Sequence, residues 1–274
     1  MSVEAAVIQY RKEMVAAFAQ RQSMLRMATT KEMVIKGNQA TFLVAGNATD
    51  RAITRGANGN IPYNNPTNSQ VTATLEEKHA PYRLTGFNVF ASQGDQDKLM
   101  RNESVGVINR DVDLTILDAL SAGTVTSGTG AVTLAQLGEV QATLGEAHVP
   151  IDDQENMFAV VSPKLMTNLR NLEQFSSADY VEMKPLAGPA KKVARWYGFN
   201  WIVSSLVDGL GTNSETCYFF HRDAIGYAGD VTEDKIFAGY NEEQGFSWSR
   251  AEVYHGSKLL QNSGVVKYTH DATA

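Results

Sequence analysis

The sequence predicts an α+β fold, and three observations predict it. The stretch from Ser92 to Gly123 carries Val105, Ile108, Val112, Ile116 and Leu120 at helical spacing, with Leu117 beside them. Residues 71–79 alternate with period two, as a half-wet strand does. The chain after Trp196 is rich in short strand-like runs, so strands and helices are segregated rather than strictly alternating.

Taken in order, residues 1–27 read as a helix, Ala-rich and free of proline, with Val7, Met14, Phe18 and Leu25 at spacings of seven, four and seven. Six basic residues (Arg11, Lys12, Arg21, Arg26, Lys31, Lys36) stand against three acidic ones (Glu4, Glu13, Glu32) up to position 36, a local balance of +3. That charge is either a solvated helix face or an arm touching an acidic partner. Residues 33–45 hold a strand ending at Phe42, Leu43 and Val44. In residues 71–79, Val71, Ala73 and Leu75 point one way; Thr72, Thr74, Glu76 and Lys78 point the other. The intervening residues, 46–70, are crowded with Asn, Gly and Pro and bury little apolar surface by themselves. Two strands on so long a loop make a poor isolated unit. An arm reaching onto another subunit explains it economically; an enzyme lid is the rival.

Residues 82–90 form a short strand leading into the 92–123 helix. Ser92 and Asp95 offer its cap and first-turn carboxylate, Gly123 its stop, while Asp111, Asp113 and Asp118 lie mostly on its other faces. Burying five such apolar side chains stabilises by about 10 kcal/mol. Gly123 to Ala131 reads as a flexible linker and a domain boundary. Thr133 and Gln136 form a capping box for a helix carrying Leu134, Leu137, Val140 and Leu144, with Pro150 after its end. A polar turn from Asp152 to Asn156 leads to a strand over Met157 to Val161. Ser162 and Pro163 then start a helix with Leu165, Met166, Leu169 and Leu172 on its buried face. Residues 173–193 are an irregular polar loop containing Lys191 and Lys192. Strands are expected over Trp196 to Ser204, Thr216 to Phe220, Gln244 to Tyr254 and Gly264 to Tyr268, with a short helix or turn over Asp223 to Ala228.

Composition narrows the function. The chain has 274 residues, a net charge of −6 and 43% hydrophobic residues, enough for a large core and two lobes. Its one cysteine, Cys217, excludes an internal disulfide framework and a multi-cysteine zinc site. No apolar run approaches the roughly 18 residues that span a bilayer, and no secretory h-region opens the chain; synthesis in the cytoplasm and no membrane partner are expected. The acidic balance argues against general wrapping of nucleic acid.

A search for chemistry assembles no catalytic, cofactor-binding or metal site. Gly123 and Gly128 have the spacing of a phosphate loop, but Thr129 stands where the loop needs Lys. The histidines (His79, His148, His221, His255, His270) show no pair at helical ligand spacing, and exposed or core-edge positions are expected for them. There is no GxSxG elbow. Cys217 lies in an apolar strand and behaves as a small hydrophobe. Asp152 with Asp153, and Glu242 with Glu243, read as solvated turns. The expectation is a structural protein, not an enzyme.

The order of parts resembles the major capsid proteins of tailed bacteriophages, which have the HK97-like fold. Ser92 to Gly123 is similar to the family's long spine helix. Leu137 to Arg170, with LGEAHVP and FAVVSPKLMTNLR, resembles the helix, turn, "VVSP" strand and following helix of the apical domain. Val193 to Leu206 resembles a strand of that domain, and Phe219 to Ala228 its closing element. Ser257 to Tyr268 is similar to the terminal peripheral-domain strand. The likeness covers nearly the whole chain. It implies an N-terminal arm over 1–36, an extended E-loop with leading strands over 37–90, and a spine helix of the peripheral domain over 91–131. An apical domain over 132–230 and closing peripheral strands over 231–274 complete it.

The implied function is self-assembly, as hexamers and pentamers, into an icosahedral capsid around packaged double-stranded DNA. The implied place is the virion, assembled in the host cytoplasm. The E-loop would lie on a neighbouring subunit. Other implied partners are a portal protein, a decoration protein and DNA touched non-specifically at the inner wall. Some members begin with a cleaved scaffolding extension; here the arm helix starts almost at Met1, which implies a separate scaffolding protein. Some members crosslink a loop lysine to a neighbour's asparagine, and no motif here places Glu, Lys and Asn for that. An encapsulin-type shell enclosing cargo shares the fold, and an enzyme with residues 46–70 as a lid is the alternative from another class.

Overall fold

A computed structural model describes residues 22–34, 36–46, 51–63, 67–87, 96–172, 193–230 and 235–273. The helix expected over 1–27 therefore lies outside the described residues up to position 21. So do the Ser92 and Asp95 cap, residues 88–90, and the loop with Lys191 and Lys192.

Thirteen strands and three α-helices are described. In order they are β1 (Thr30–Val34), β2 (Gln39–Val44), β3 (Ser69–Thr74), β4 (Glu76–Thr85), α1 (Gln96–Ser121), β5 (Thr126–Gly130), α2 (Leu134–Glu146), β6 (Met157–Val161), α3 (Pro163–Arg170), β7 (Val193–Trp196), β8 (Phe199–Val203), β9 (Glu215–His221), β10 (Ile225–Asp230), β11 (Lys235–Asn241), β12 (Phe246–Leu259) and β13 (Val265–His270). They make a six-stranded sheet in the order β5-β13-β9-β6-β8-β7. A five-stranded sheet runs β1-β10-β12-β11 with β4 also on β12, and β2 and β3 form a two-stranded finger.

The six-stranded sheet is covered on both faces, which is why its central strands read as unbroken apolar runs. All five residues of β6 are buried. Ala159 and Val161, with Cys217 and Phe219 of β9, face Leu137, Val140 and Leu144 of α2 and Leu165 and Leu169 of α3. Phe158 and Val160, with Tyr218 and Phe220, face the other way, onto Val112, Ile116, Leu117 and Leu120 of α1. Ile225 and Tyr227 of β10 belong to that second cluster, so the C-terminal half of α1 is the shared core of both large sheets. Nearer its N-terminus, Ile108 packs with Ala80, Ala251 and Val253 beneath β4 and β12.

Local signals explain the helices. Thr133 Oγ1 accepts from the Gln136 amide while Gln136 Oε1 accepts from the Thr133 amide, a complete capping box for α2. Ser162 Oγ accepts from the Leu165 amide at 3.1 Å, with Pro163 next, and starts α3 as expected.

Several expectations are corrected. The chain from Leu25 to Ala28 is not α-helical: Arg26–Ala28 is a 3₁₀ turn ending a strap, although Leu25 is fully buried. The residue 33–45 run splits into β1 and β2 around a turn with Gly37 at φ 117°. The alternation expected over 71–79 breaks at Leu75, where β3 gives way to β4 in a different sheet. Residues 126–130 are no linker: β5 pairs in parallel with β13. The strand expected over Trp196 to Ser204 is a hairpin, because Tyr197 (φ 50°) and Gly198 (φ 76°) form a two-residue turn of the kind that suits strand twist. Residues 225–230 are strand β10, not helix, after a 3₁₀ turn over Arg222–Ala224. β5 and β13, placed with the spine and closing segments, share a sheet with β6, β8 and β9, and β10 joins the other sheet.

Candidate assembly surfaces

The finger is built from a docked root and an undocked tip. At the root, Ala40 and Phe42 of β2 and Ala73 of β3 pack on Ala228 of β10, flanked by Val34, Leu75 and Leu260. Two glycines of the five-stranded sheet permit this approach. A Cβ at Gly256 would lie 2.1 Å from the Thr74 carbonyl oxygen, and one at Gly226 would lie 2.9 Å from the Phe42 ring. The Leu75 amide donates to the Asn38 carbonyl at 2.8 Å and closes the base. At the neck, Thr67 Oγ1 donates to the Gly46 carbonyl at 3.0 Å, and the Gly46 amide donates to Asn68 Oδ1 at 3.4 Å.

Beyond the neck, every residue from 51 to 63 is exposed. Short bonds around Gly56 to Asn60 shape the tip: Arg55 Nη1 donates to the Gly59 carbonyl at 2.7 Å, and the Gly56 amide to the Asn60 carbonyl at 2.9 Å. Ile53 and Ile61 are exposed with it, Tyr63 is 94% exposed, and Leu43 on the shaft is 77% exposed. None of the tip residues lines the groove at the finger base, a cavity of ≈ 510 Å³ bordered by Lys36, Asn38, Glu76, Asp230, Lys235 and Tyr254.

A second exposed apolar surface lies on the ribbon of β4, β12 and β11. Ile236, Phe237 and Tyr240 of the edge strand β11 are exposed, as is Tyr82 of β4. On its face away from α1, Arg83 lies over the Phe246 ring and Arg250 over the Phe237 ring, at 5.6 and 5.4 Å from the ring centres. Exposed edge strands without such charged or aromatic cover are prone to pair non-specifically.

The third surface is the anchored strap ahead of β1. Asp113 of α1 is fully buried. Its Oδ1 accepts from Ser23 Oγ at 2.6 Å and from the Leu25 amide at 3.2 Å; its Oδ2 accepts from the Met24 amide at 3.0 Å. Further along, Arg222 Nε donates to the Thr29 carbonyl at 3.2 Å, and Thr30 Oγ1 donates to Asp223 at 2.9 Å. The sequence reading placed Asp113 mostly off the apolar stripe, with Asp111 and Asp118. The signal that corrects it is Leu117, one turn further on and buried on the same side. Asp113→Ala leaves two strap amides without their acceptor. It is expected to cost about 2–4 kcal/mol, read as a lower midpoint in urea unfolding.

The residues weighed for chemistry are not brought together. Cys217 is buried, and burial pushes its thiol up to about 12. Asp152, Glu242 and Glu243 are exposed on turns, with Asp153 half-buried beside Asn156. Gly128 lies in β5, not in a phosphate loop. The histidines depart from expectation. His255 and His270 are fully buried and His221 nearly so; only His79 and His148 are exposed. Burial lowers the pKa of His255 and of His270, each partly opposed, by Asp111 and by the Gly130 carbonyl respectively. Glu77, His79 and Glu252 are the one group of three among the described residues with metal-like spacing. Arg250 already stands 3.0 Å from Glu252, and His79 Nε2 lies 2.9 Å from Glu77, so each member of the group has a polar partner within the ribbon. Among the described residues no helix is long and apolar enough to cross a membrane.

The whole architecture has close counterparts. The structure of Mycobacterium phage Che8 superposes with a TM-score of 0.73 at 17% identity, over 97% of this chain and 98% of that one. Gordonia phage Cozz gives 0.73 at 15% identity, over 97% and 91%. The capsid of Ralstonia phage GP4 gives 0.71 at 13% identity, over 100% and 99%. No curated protein sequence matches. These identities speak for the fold, which is HK97-like. The family model described as "Phage capsid protein" matches residues 3–272, so the chain belongs to the phage capsid protein family and is a structural shell protein of a phage virion.

Proposed function

We propose that this subunit tiles as hexamers and pentamers into a closed icosahedral shell around packaged double-stranded DNA, and that its finger is the extended loop laid on a neighbouring subunit. The single observation that carries this is the tip, residues 51–63, which is exposed throughout and holds apolar side chains its own subunit does not cover. Many modest contacts of this kind, repeated around a closed shell, add up through multivalency to a stable assembly. The spine helix α1 with the five-stranded sheet would then be the peripheral domain. The six-stranded sheet with α2 and α3 would be the apical domain, which moves 126–130 and 265–270 into it from the limits expected at 131 and 231. Residues 1–36 would be the arm. The subunit works without catalysis, cofactor or metal. A separate scaffolding protein, a portal and a decoration protein are its further partners, with assembly in the host cytoplasm. The net charge of −6 suits a wall that must hold DNA without binding it tightly.

The test is electron microscopy of the purified full-length protein, expressed alone and together with the scaffolding protein of its own phage. Closed, uniform shells are expected. A subunit that stays monomeric under both conditions overturns the reading.

A further inference from the structure

Four side chains from four elements join the N-terminal strap to the spine helix. The Arg26 guanidinium lies over the Tyr227 ring, 5.7 Å from its centre. The Tyr227 ring stacks on the His255 imidazole, with centres 6.1 Å apart and planes 25° from parallel. His255 Nε2 lies 3.1 Å from Asp111 Oδ2 on α1. Two residues further along the same helix, Asp113 holds the amides of Met24 and Leu25.

A carboxylate only accepts, so the Asp111 contact puts the hydrogen of neutral His255 on Nε2. Nδ1 then carries the lone pair. It is buried and has no hydrogen-bond partner among the described residues. This arrangement favours a neutral ring. A proton from solvent would settle on Nδ1 and create a buried N–H donor with no acceptor. The charged groups around the ring, element by element, are Asp111 of α1, Lys78 and Glu76 of β4 and Arg26 of the strap, with Tyr227 of β10 in contact. Asp111 favours a charged ring, and Glu76 adds to it. Lys78, itself 2.9 Å from Glu76, and Arg26 both oppose it.

We propose that Arg26, Tyr227, His255 and Asp111 form an acid-sensitive clasp, which holds strap residues 22–29 on the subunit and releases them when His255 takes a proton. The released state hydrates Nδ1–H and lets Arg26 withdraw. The sign follows from linkage. Burial holds the folded imidazole below its ordinary value, so the clasp is fully favourable above about pH 6.5 and is lost as pH falls through the folded value. The device belongs to the single subunit and stands whether or not the finger crosses to a neighbour.

The experiment is hydrogen exchange of the full-length, unassembled protein across about pH 8 to 5, each rate divided by its unfolded-chain rate at that pH. The Met24 and Leu25 amides are expected to lose protection several-fold, up to about tenfold, between about pH 7.5 and 5.5, while residues 157–161 keep theirs. His255→Gln keeps a donor toward Asp111 but cannot take the proton, and its strap protection is expected to stay flat. An equal loss in His255→Gln would assign the effect to other acids, Asp113 included, and would overturn the clasp. A strap that keeps its protection to pH 5 in the wild-type chain also overturns it. The ring resonance of His255 in the wild-type protein gives a second reading that needs no variant: its titration midpoint must coincide with strap release, and a midpoint at or above the ordinary histidine value is the contrary result.

Discussion

Deleting residues 50–66 is expected to abolish shell formation while leaving a folded, soluble subunit. The two halves of that outcome rest on different parts of the finger. The subunit should survive because the described tip, 51–63, is exposed throughout and covers none of the buried clusters. The root carries the docking, through Phe42, Ala40 and Ala73 on Ala228, and the deletion leaves it in place. Thermal unfolding should therefore move little, within about 1 kcal/mol of the parent, as for changes at exposed sites. Assembly should fail because the same tip holds Ile53, Ile61 and Tyr63 outward. Each lost contact is modest alone, but it is lost once per subunit around the whole shell. Sedimentation of the variant should show free subunits or capsomers where the parent gives particles. Normal shells from the shortened chain would show that the finger is not an intersubunit arm. A finer variant separates contact from length: Tyr63→Ser keeps the loop intact and removes its most exposed aromatic, and should weaken assembly without blocking it.

How much of this was legible before the structure depends on what kind of signal each element carries. Helices with local start signals read correctly, because a cap is chemistry within four residues: Thr133 with Gln136, and Ser162 with Pro163. The finger tip was legible as well, since Asn, Gly and Pro cannot assemble a core of their own. Elements with no local pattern, set by long-range pairing alone, were not. Strand β5 is made of Thr, Ser and Gly and has no apolar alternation; only its pairing with β13, far away in sequence, makes it a strand. The Tyr197–Gly198 turn hid inside an apolar run whose two halves are antiparallel partners rather than one strand. The exposed edge strand β11 went unseen for the opposite reason, because its Ile236, Phe237 and Tyr240 follow no one-sided burial pattern. Asp113 and His255 were the costliest misses. A charged or titratable residue reads as surface by default, and nothing local reveals that a carboxylate on α1 will meet a strap 88 to 90 residues earlier.

Ile116→Asp should unfold the subunit altogether. Ile116 is fully buried in the cluster that α1 shares with both large sheets, among Phe158, Val160 and Phe220 on one side and Ile225 and Tyr227 on the other. Among the described residues, the cluster that holds Ile116 is built of aliphatic and aromatic side chains, unlike the strap amides that meet Asp113 three residues earlier. A carboxylate there must either lose its charge or drag water into the junction between the sheets, and the lost apolar contact adds to the cost. The sum is expected to exceed about 5 kcal/mol, a large part of the usual stability of a domain. Insoluble expression, or soluble protein without a cooperative unfolding transition, is the expected result. The same helix supplies the control. Leu114 is 42% exposed, two residues before Ile116 and on the opposite side. Leu114→Asp introduces the same charge and the same helix propensity penalty and should cost no more than about 1 kcal/mol. If both variants lose stability equally, the effect belongs to helix propensity and the spine is not the junction on which both sheets are built. If Ile116→Asp folds like the parent, the packing of α1 against the two sheets is wrong, and with it the reason that one helix can set the geometry of finger, strap and lobes together.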